Sequence, residues 1–130
     1  IIGSPQSYSE SLTGRATFGY PAVDTRNGAL VWLKDYWRVD SPGFIPEHQT
    51  YNRLAEHDVP HTARKVFAGD VGEQVTLSQN FVSASWACKT SKVIVRRKHY
   101  RLVIDVVGRP SHAFKSSKEL FRVVRDAIEG

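Results

Sequence analysis

Ala22-Val23-Asp24-Thr25-Arg26-Asn27-Gly28-Ala29-Leu30-Val31-Trp32-Leu33-Lys34 is the stretch that decides the architecture. Asn-Gly between two apolar runs is a strong β-hairpin signal, because both residue types accept the positive φ that tight turns between twisted strands need. Two antiparallel strands are therefore expected, the second ending at Lys34. Toward the N-terminus, Leu12–Tyr20 holds Gly14, Ala16 and Gly19 and reads as a small-residue loop. Residues 1–11 are polar and Ser-rich and read as a flexible lead-in. Toward the C-terminus, Asp40-Ser41-Pro42-Gly43 breaks the chain. Glu47 to His57 then reads as a helix, with Pro46 suited to its first turn, Tyr51 and Leu54 on one face, and Asp58-Val59-Pro60 ending it. Val66–Phe67 reads as a short strand bounded by Gly69-Asp70, and residues 72–92 carry no readable pattern. Val93–Val95 and Tyr100–Val107 read as two more strands, with Gly108-Arg109-Pro110 as a break. Lys118–Glu129 reads as a helix capped by Ser116 or Ser117, with Leu120, Val123, Val124, Ala127 and Ile128 at helical spacing. Mostly antiparallel strands with one early helix make an α+β fold rather than a doubly wound sheet.

Composition narrows the class. The 130 residues are 41% hydrophobic and 24% charged, which excludes collagen-like and wholly disordered chains. No apolar run approaches the roughly 20 residues of a membrane helix, so no membrane partner is expected. A single cysteine, Cys88, forms no internal disulfide and supplies no cysteine-based zinc site, and it reads as an ordinary thiol. An intracellular setting, cytoplasmic or nuclear, is expected. The chain opens on Ile1-Ile2-Gly3 and stops at Glu129-Gly130 inside or just after a helical pattern, so a piece of a longer chain is expected. The charge is concentrated: Lys89, Lys92, Arg96, Arg97, Lys98 and Arg101 lie in one segment without an acid, leaving 12 basic against 13 acidic residues elsewhere. Such a strip suits a nucleic-acid or phosphate partner, or a strand edge kept from pairing by its charges.

The chemistry lies in an ordered set of residues. Gly14-Arg15-Ala16-Thr17-Phe18-Gly19 is a near match to Gly-x-Gly-x-x-Gly, with Ala16 at the second glycine. Small residues let backbone N–H groups approach phosphate oxygens. Fifteen residues after Gly19 stands Lys34, at the end of an apolar strand, and thirteen residues later Glu47 opens a helix. A strand lysine oriented by a helical carboxylate is a phosphate clamp. His57 and His61 are four residues apart, but Pro60 intervenes and no third ligand is evident, so they read as no metal site. Tyr36, Trp37 and Trp86 read as packing residues.

On these residues the chain resembles the amino-terminal lobe of protein kinases, and more closely the fungal-type protein kinase family. The resemblance is carried by Leu33-Lys34-Asp35-Tyr36-Trp37-Arg38, by Glu47-His48-Gln49-Thr50-Tyr51-Asn52-Arg53-Leu54 with Val59-Pro60-His61, and by His99-Tyr100-Arg101-Leu102-Val103-Ile104-Asp105-Val106-Val107-Gly108-Arg109-Pro110. It continues through Phe114-Lys115-Ser116-Ser117-Lys118-Glu119-Leu120 and Arg125-Asp126-Ala127-Ile128, and covers residues 12 to 130. It implies a lobe and hinge over 12–108, a family-variable insert at 72–92, and the start of a second lobe over 109–130. It also implies roles. Gly14, Ala16 and Gly19 cover the ATP phosphates. Lys34 contacts the α- and β-phosphates with Glu47 as partner. Ile104 is the gatekeeper, and the Asp105 carbonyl and Val107 amide bond adenine. The implied activity is phosphoryl transfer from ATP to protein serine or threonine hydroxyls, with Mg²⁺ held by residues that the family places after residue 130.

Three departures qualify the resemblance. Trp32 stands where kinases carry Ala beneath adenine, on the same strand face as Lys34. Ala16 replaces a glycine. The His-Arg-Asp loop and the magnesium-binding motif are absent from these 130 residues, so this piece alone is expected to be inactive. Two rival readings stay open: a pseudokinase-like interaction module, motivated by Trp32, and a nucleic-acid-binding domain using the 89–101 strip. The second lacks a periodic aromatic platform.

Overall fold

The Asn27-Gly28 turn joins two antiparallel strands as expected. Asp24 organises it. Its carbonyl accepts the Gly28 N–H at 2.7 Å, and its carboxylate accepts the Arg26 backbone N–H at 3.0 Å and the Arg26 guanidinium at 2.6 Å. Gly28 has a φ of 74°, in the left-handed region that favours glycine.

The computed structural model describes residues 1–9, 14–87, 93–109 and 111–129. They form β1 (Ser7–Tyr8), β2 (Phe18–Val23), β3 (Leu30–Val39), α1 (Glu47–Glu56), β4 (Lys65–Val75), β5 (Arg97–Ile104) and α2 (Ser117–Glu129), with 3-10 turns at Ser78–Phe81 and Ser111–Ala113. The fold is α+β: one five-stranded antiparallel sheet, ordered β1-β2-β3-β5-β4, with two helices. No helix among the described residues is long and apolar enough to cross a membrane.

Register sorts the side chains between two faces. On one face Ala22, Val31 and Leu33 form a small core with Tyr20, Val66 and Val103. On the other, Tyr36, Tyr100 and Leu102 form a second core, with Tyr51, Ala68 and Ile104 against it. Tyr51 comes from α1, so α1 lies over this second face. The Tyr36 and Tyr100 rings meet edge-on at 5.3 Å, and His48 Nδ1 lies 2.6 Å from the Tyr100 hydroxyl. The helix is therefore held by an apolar contact and a polar one.

Several sequence expectations change. The loop read over Leu12–Tyr20 ends sooner, because Phe18, Gly19 and Tyr20 pair with Asp35, Lys34 and Leu33. Gly19 is thus a buried strand residue. Of residues 1–11, read as a lead-in, the described residues 1–9 instead supply β1 and a bridge from Ile2 to Ala22 at the sheet edge. Pro46 is the N-cap of α1 rather than part of its first turn. Gly69 and Asp70 do not end a strand: β4 runs through them, and their backbones pair with Arg101 and Tyr100. Residues 72–75, placed in the unreadable stretch, belong to the same strand. Val93–Val95 is not a strand. Those residues have no ladder partner, and β5 begins only where Arg97 meets Val39. The strand read over Tyr100–Val107 ends at Ile104. Ser116 caps α2, its Oγ accepting the Glu119 N–H at 3.3 Å. Cys88, Lys89, Lys92 and the Pro110 break lie outside the described residues.

Candidate functional site

Strand alternation places Trp32, Lys34, Tyr36 and Arg38 on one face of β3, the face that α1 covers. Across the ladder their partners are Ile104, Leu102, Tyr100 and Lys98. On the other side Gly19 lies opposite Lys34, and Pro21 opposite Trp32.

Glu47 is the first residue of α1. Its carboxylate takes the Lys34 ammonium in both oxygens, at 2.9 Å and 2.7 Å. Both side chains are about three-tenths exposed, 29% and 28%. The pair is therefore partly shielded from water and more strongly coupled than a fully exposed one. Lys34 Nζ also lies 4.9 Å from the centroid of the Tyr36 ring. Burial raises the Tyr36 hydroxyl far above the ordinary phenol range, and the Glu47 carboxylate adds to the effect. Tyr51 is raised for the same two reasons, and burial pushes Tyr100 up to about 12. All three phenols are neutral donors at physiological pH.

The next residue on this face, Arg38, is fixed separately. Its guanidinium grips Asp70 in a two-bond fork, at 2.7 Å and 2.8 Å, which lowers the Asp70 carboxyl. A cavity of about 360 Å³ opens between these groups, lined by Arg15, Lys34, Tyr36, Arg38, Val39, Phe44, Ile45, Pro46 and Glu47. That volume falls within the range of roughly 300–1,000 Å³ usual for small-molecule sites.

The expected site residues divide into two groups. Lys34 and Glu47 meet directly. Gly19 sits beside Lys34, and Ile104 packs into the core under α1. Of the expected site residues only Lys34 and Glu47 line the cavity; Gly14, Ala16, Gly19, Ile104, Asp105 and Val107 do not. Ala16 takes a positive φ of 40°, and the Arg15 carbonyl accepts the Trp37 N–H at 2.8 Å, so the Gly14–Thr17 segment is moored to β3. Asp105 has a structural job: its N–H donates to the Arg64 carbonyl at 3.0 Å, and its carboxylate accepts the Arg64 N–H at 2.8 Å. This closes the end of β5 against the start of β4. Trp32 lies across Gly19, so that a Cβ at Gly19 would stand 2.4 Å from its Cζ2.

Sequence reading passed over Arg38, Asp70, His48 and Arg15 as site residues. The alternation of β3 was the signal for Arg38. Asp70 and His48 carried none, since both depend on long-range pairing.

Three of the four described cations of the basic strip face carboxylates, and Arg97 does not. Arg96 pairs with Asp40 at 3.2 Å, Arg101 with Asp35 at 2.9 Å, and Lys98 reaches Asp70 at 3.9 Å. Trp37 stacks on His99 at 5.0 Å as a packing residue, whereas Trp86 tilts against Phe81 at 5.8 Å but stays 74% exposed. His57 ends α1, its N–H donating to the Arg53 carbonyl at 3.1 Å, and is not part of any ligand cluster among the described residues. His61 instead comes near Asp126 and Glu129 of α2, a group that shares no residue with the cavity. No protein-family model matches the chain, and no curated protein or solved structure matches it either.

Proposed function

We propose that the chain is the ATP-binding part of a protein-kinase-like catalytic unit of the fungal type, which in a complete enzyme transfers a phosphoryl group from ATP to protein hydroxyls. The observation that carries this reading is the two-bond pairing of Lys34 on β3 with Glu47 on α1. A bare lysine on a strand would swing through many rotamers. The carboxylate fixes the ammonium in one place, which is what a phosphate clamp needs. The donor set fits an anionic oxygen ligand. ATP would supply the transferable phosphoryl group, and Lys34, held by Glu47, would bind and orient its phosphates. Among the described residues the cavity wall offers one carboxylate, Glu47, which Lys34 occupies, so it holds no ligand set for the implied Mg²⁺.

One observation favours a second reading. Trp32, on the same face as Lys34, lies directly over Gly19, on the side where the resemblance would put the base. An interaction module that keeps the clamp without binding nucleotide fits that feature. The nucleic-acid reading loses some support, since three of its four described cations, Arg96, Lys98 and Arg101, already face carboxylates, and the fourth, Arg97, has a buried guanidinium nitrogen without a partner among the described residues.

Thermal unfolding with and without Mg-ATP tests the proposal. A ligand at about 100 times its Kd stabilises by about 2.7 kcal/mol, which moves the midpoint of a domain this size by several degrees. The shift is expected for the wild type and not for Lys34→Met. Equal shifts in both would overturn the reading, and no shift in a folded wild type would favour the interaction module.

A further inference from the structure

The cavity beside Lys34 has an unbalanced charge. Three cations line it, Arg15, Lys34 and Arg38, together with one carboxylate, Glu47. Lys34 is matched by Glu47, and Arg38 by Asp70. Arg15 has no hydrogen-bond or ion-pair partner for its guanidinium among the described residues. Its field nevertheless reaches into the cavity, since it opposes the upward shift of the Tyr36 hydroxyl.

Donors point the same way. Glu47 takes at most two of the three N–H groups of the Lys34 ammonium, which leaves at least one. Arg15 offers its five N–H donors in a planar fork suited to phosphate or carboxylate oxygens. The loop that carries Arg15 is anchored, because its carbonyl holds the Trp37 N–H at 2.8 Å. The backbone that carries the guanidinium is thus fixed beside the cavity, whose wall the Arg15 side chain joins. Of the remaining wall, Val39, Phe44, Ile45 and Pro46 are apolar, and Tyr36 adds one neutral hydroxyl.

The position of the cavity matters too. Trp32 and Ile104 take no part in its wall. It opens on the Tyr36 and Arg38 side of Lys34, whereas Trp32 lies two residues the other way along β3. A group seated here meets Lys34 from the side that Trp32 does not cover.

We infer that Arg15 and Lys34 together grip one phosphate group in this cavity, with Arg15 as a second binding residue that the glycine-loop pattern does not provide. The inference rests on the phosphate-clamp reading of Lys34 and Glu47. The phosphate belongs either to the tail of a nucleotide or to a polyphosphate without a base.

Titration calorimetry of the whole chain at low salt separates the cases, with tripolyphosphate and Mg-ATP as probes. Wild type is compared with Arg15→Gln, Arg15→Lys and Lys34→Gln, each first checked for wild-type circular dichroism. Arg15 is exposed, so its variants are expected to fold. Losing a charge-assisted contact should weaken tripolyphosphate binding about tenfold or more in Arg15→Gln, with partial recovery in Arg15→Lys. Mg-ATP binding more tightly than tripolyphosphate identifies the nucleotide as the source. Equal affinities identify phosphate alone as the recognised group, and both results support the shared grip. Unchanged affinity in Arg15→Gln with loss in Lys34→Gln would overturn the role of Arg15 and leave the clamp standing. No binding of either probe by the folded wild type would overturn both.

Discussion

Trp32 and Gly19 constrain each other through space rather than through the ladder. Lys34 is the register partner of Gly19, yet the Trp32 indole crosses the strand and covers the place where a Gly19 side chain would go. A Cβ there would lie 2.4 Å from Trp32 Cζ2, 3.0 Å from Cε2 and 3.3 Å from the Ser7 Cβ. Gly19→Ala therefore forces the indole off its seat, with an expected cost of about 1–3 kcal/mol from overpacking. The indole is a movable side chain, so the cost depends on its presence. Trp32→Ala should absorb part of it, and the double variant should be less unstable than the sum of the two single changes. Urea unfolding of the four proteins measures this coupling, and strict additivity would show that the two residues do not interact. The same geometry explains why sequence reading found the glycine but misread its place. Gly19 satisfied a phosphate-loop pattern by spacing, whereas its need for a small side chain comes from an indole thirteen positions away.

Elements in this fold are defined by what they pair with more than by their own composition. The hairpin was legible because Asn27-Gly28 is a local signal, and α1 and α2 were legible because helical spacing is local too. β4 was not, because Gly69 and Asp70 are turn formers by propensity and become strand residues only when β5 and Arg38 are present. Val93 and Val95 show the converse: apolar residues, 87% and 37% exposed, without a ladder partner. The candidate site was half legible. Lys34 and Glu47 followed from spacing, while Arg38–Asp70 needed β4 to be laid beside β5. That pairing carries a pH signature. Arg38 lowers the Asp70 carboxyl below its ordinary value of 3.8. A carboxyl depressed in the folded state adds stability above the unfolded value and loses it as pH falls through the folded one. Asp70→Asn should thus cost roughly 1–2 kcal/mol at neutral pH. The difference from wild type should shrink as pH falls through the carboxylate range and vanish once Asp70 is protonated in the folded state as well. Denaturant unfolding at a series of pH values follows it, and a constant difference down to the lowest pH would assign the cost to something other than the Asp70 charge.

Across the whole molecule, order is uneven. The sheet carries two cores on opposite faces of β3 and β5, and α1 packs Tyr51 against one of them, whereas no described residue of α2 joins either. Its one ion pair to the rest of the fold beyond the preceding segment, among the described residues, is Glu129 to His61 at 3.8 Å. Its apolar residues form a single stripe, yet Phe121 is 74% exposed and Ile128 80% exposed. A helix of 13 residues is marginal in water without a surface to pack on. Local stability should follow this division. Amide hydrogen exchange is expected to be slowest in β3 and β5, where Tyr36, Tyr100 and Leu102 are buried, and faster by orders of magnitude in α2. The exposed stripe adds a concentration dependence, because self-association through it would bury apolar surface and protect the helix. Protection in α2 should therefore rise with protein concentration while that of β5 stays constant. Phe121→Ser with Ile128→Ser should remove the rise and leave the sheet unaffected. If α2 amides in dilute protein exchange as slowly as those of β5, the helix is part of the cooperative core and this division of the molecule is wrong.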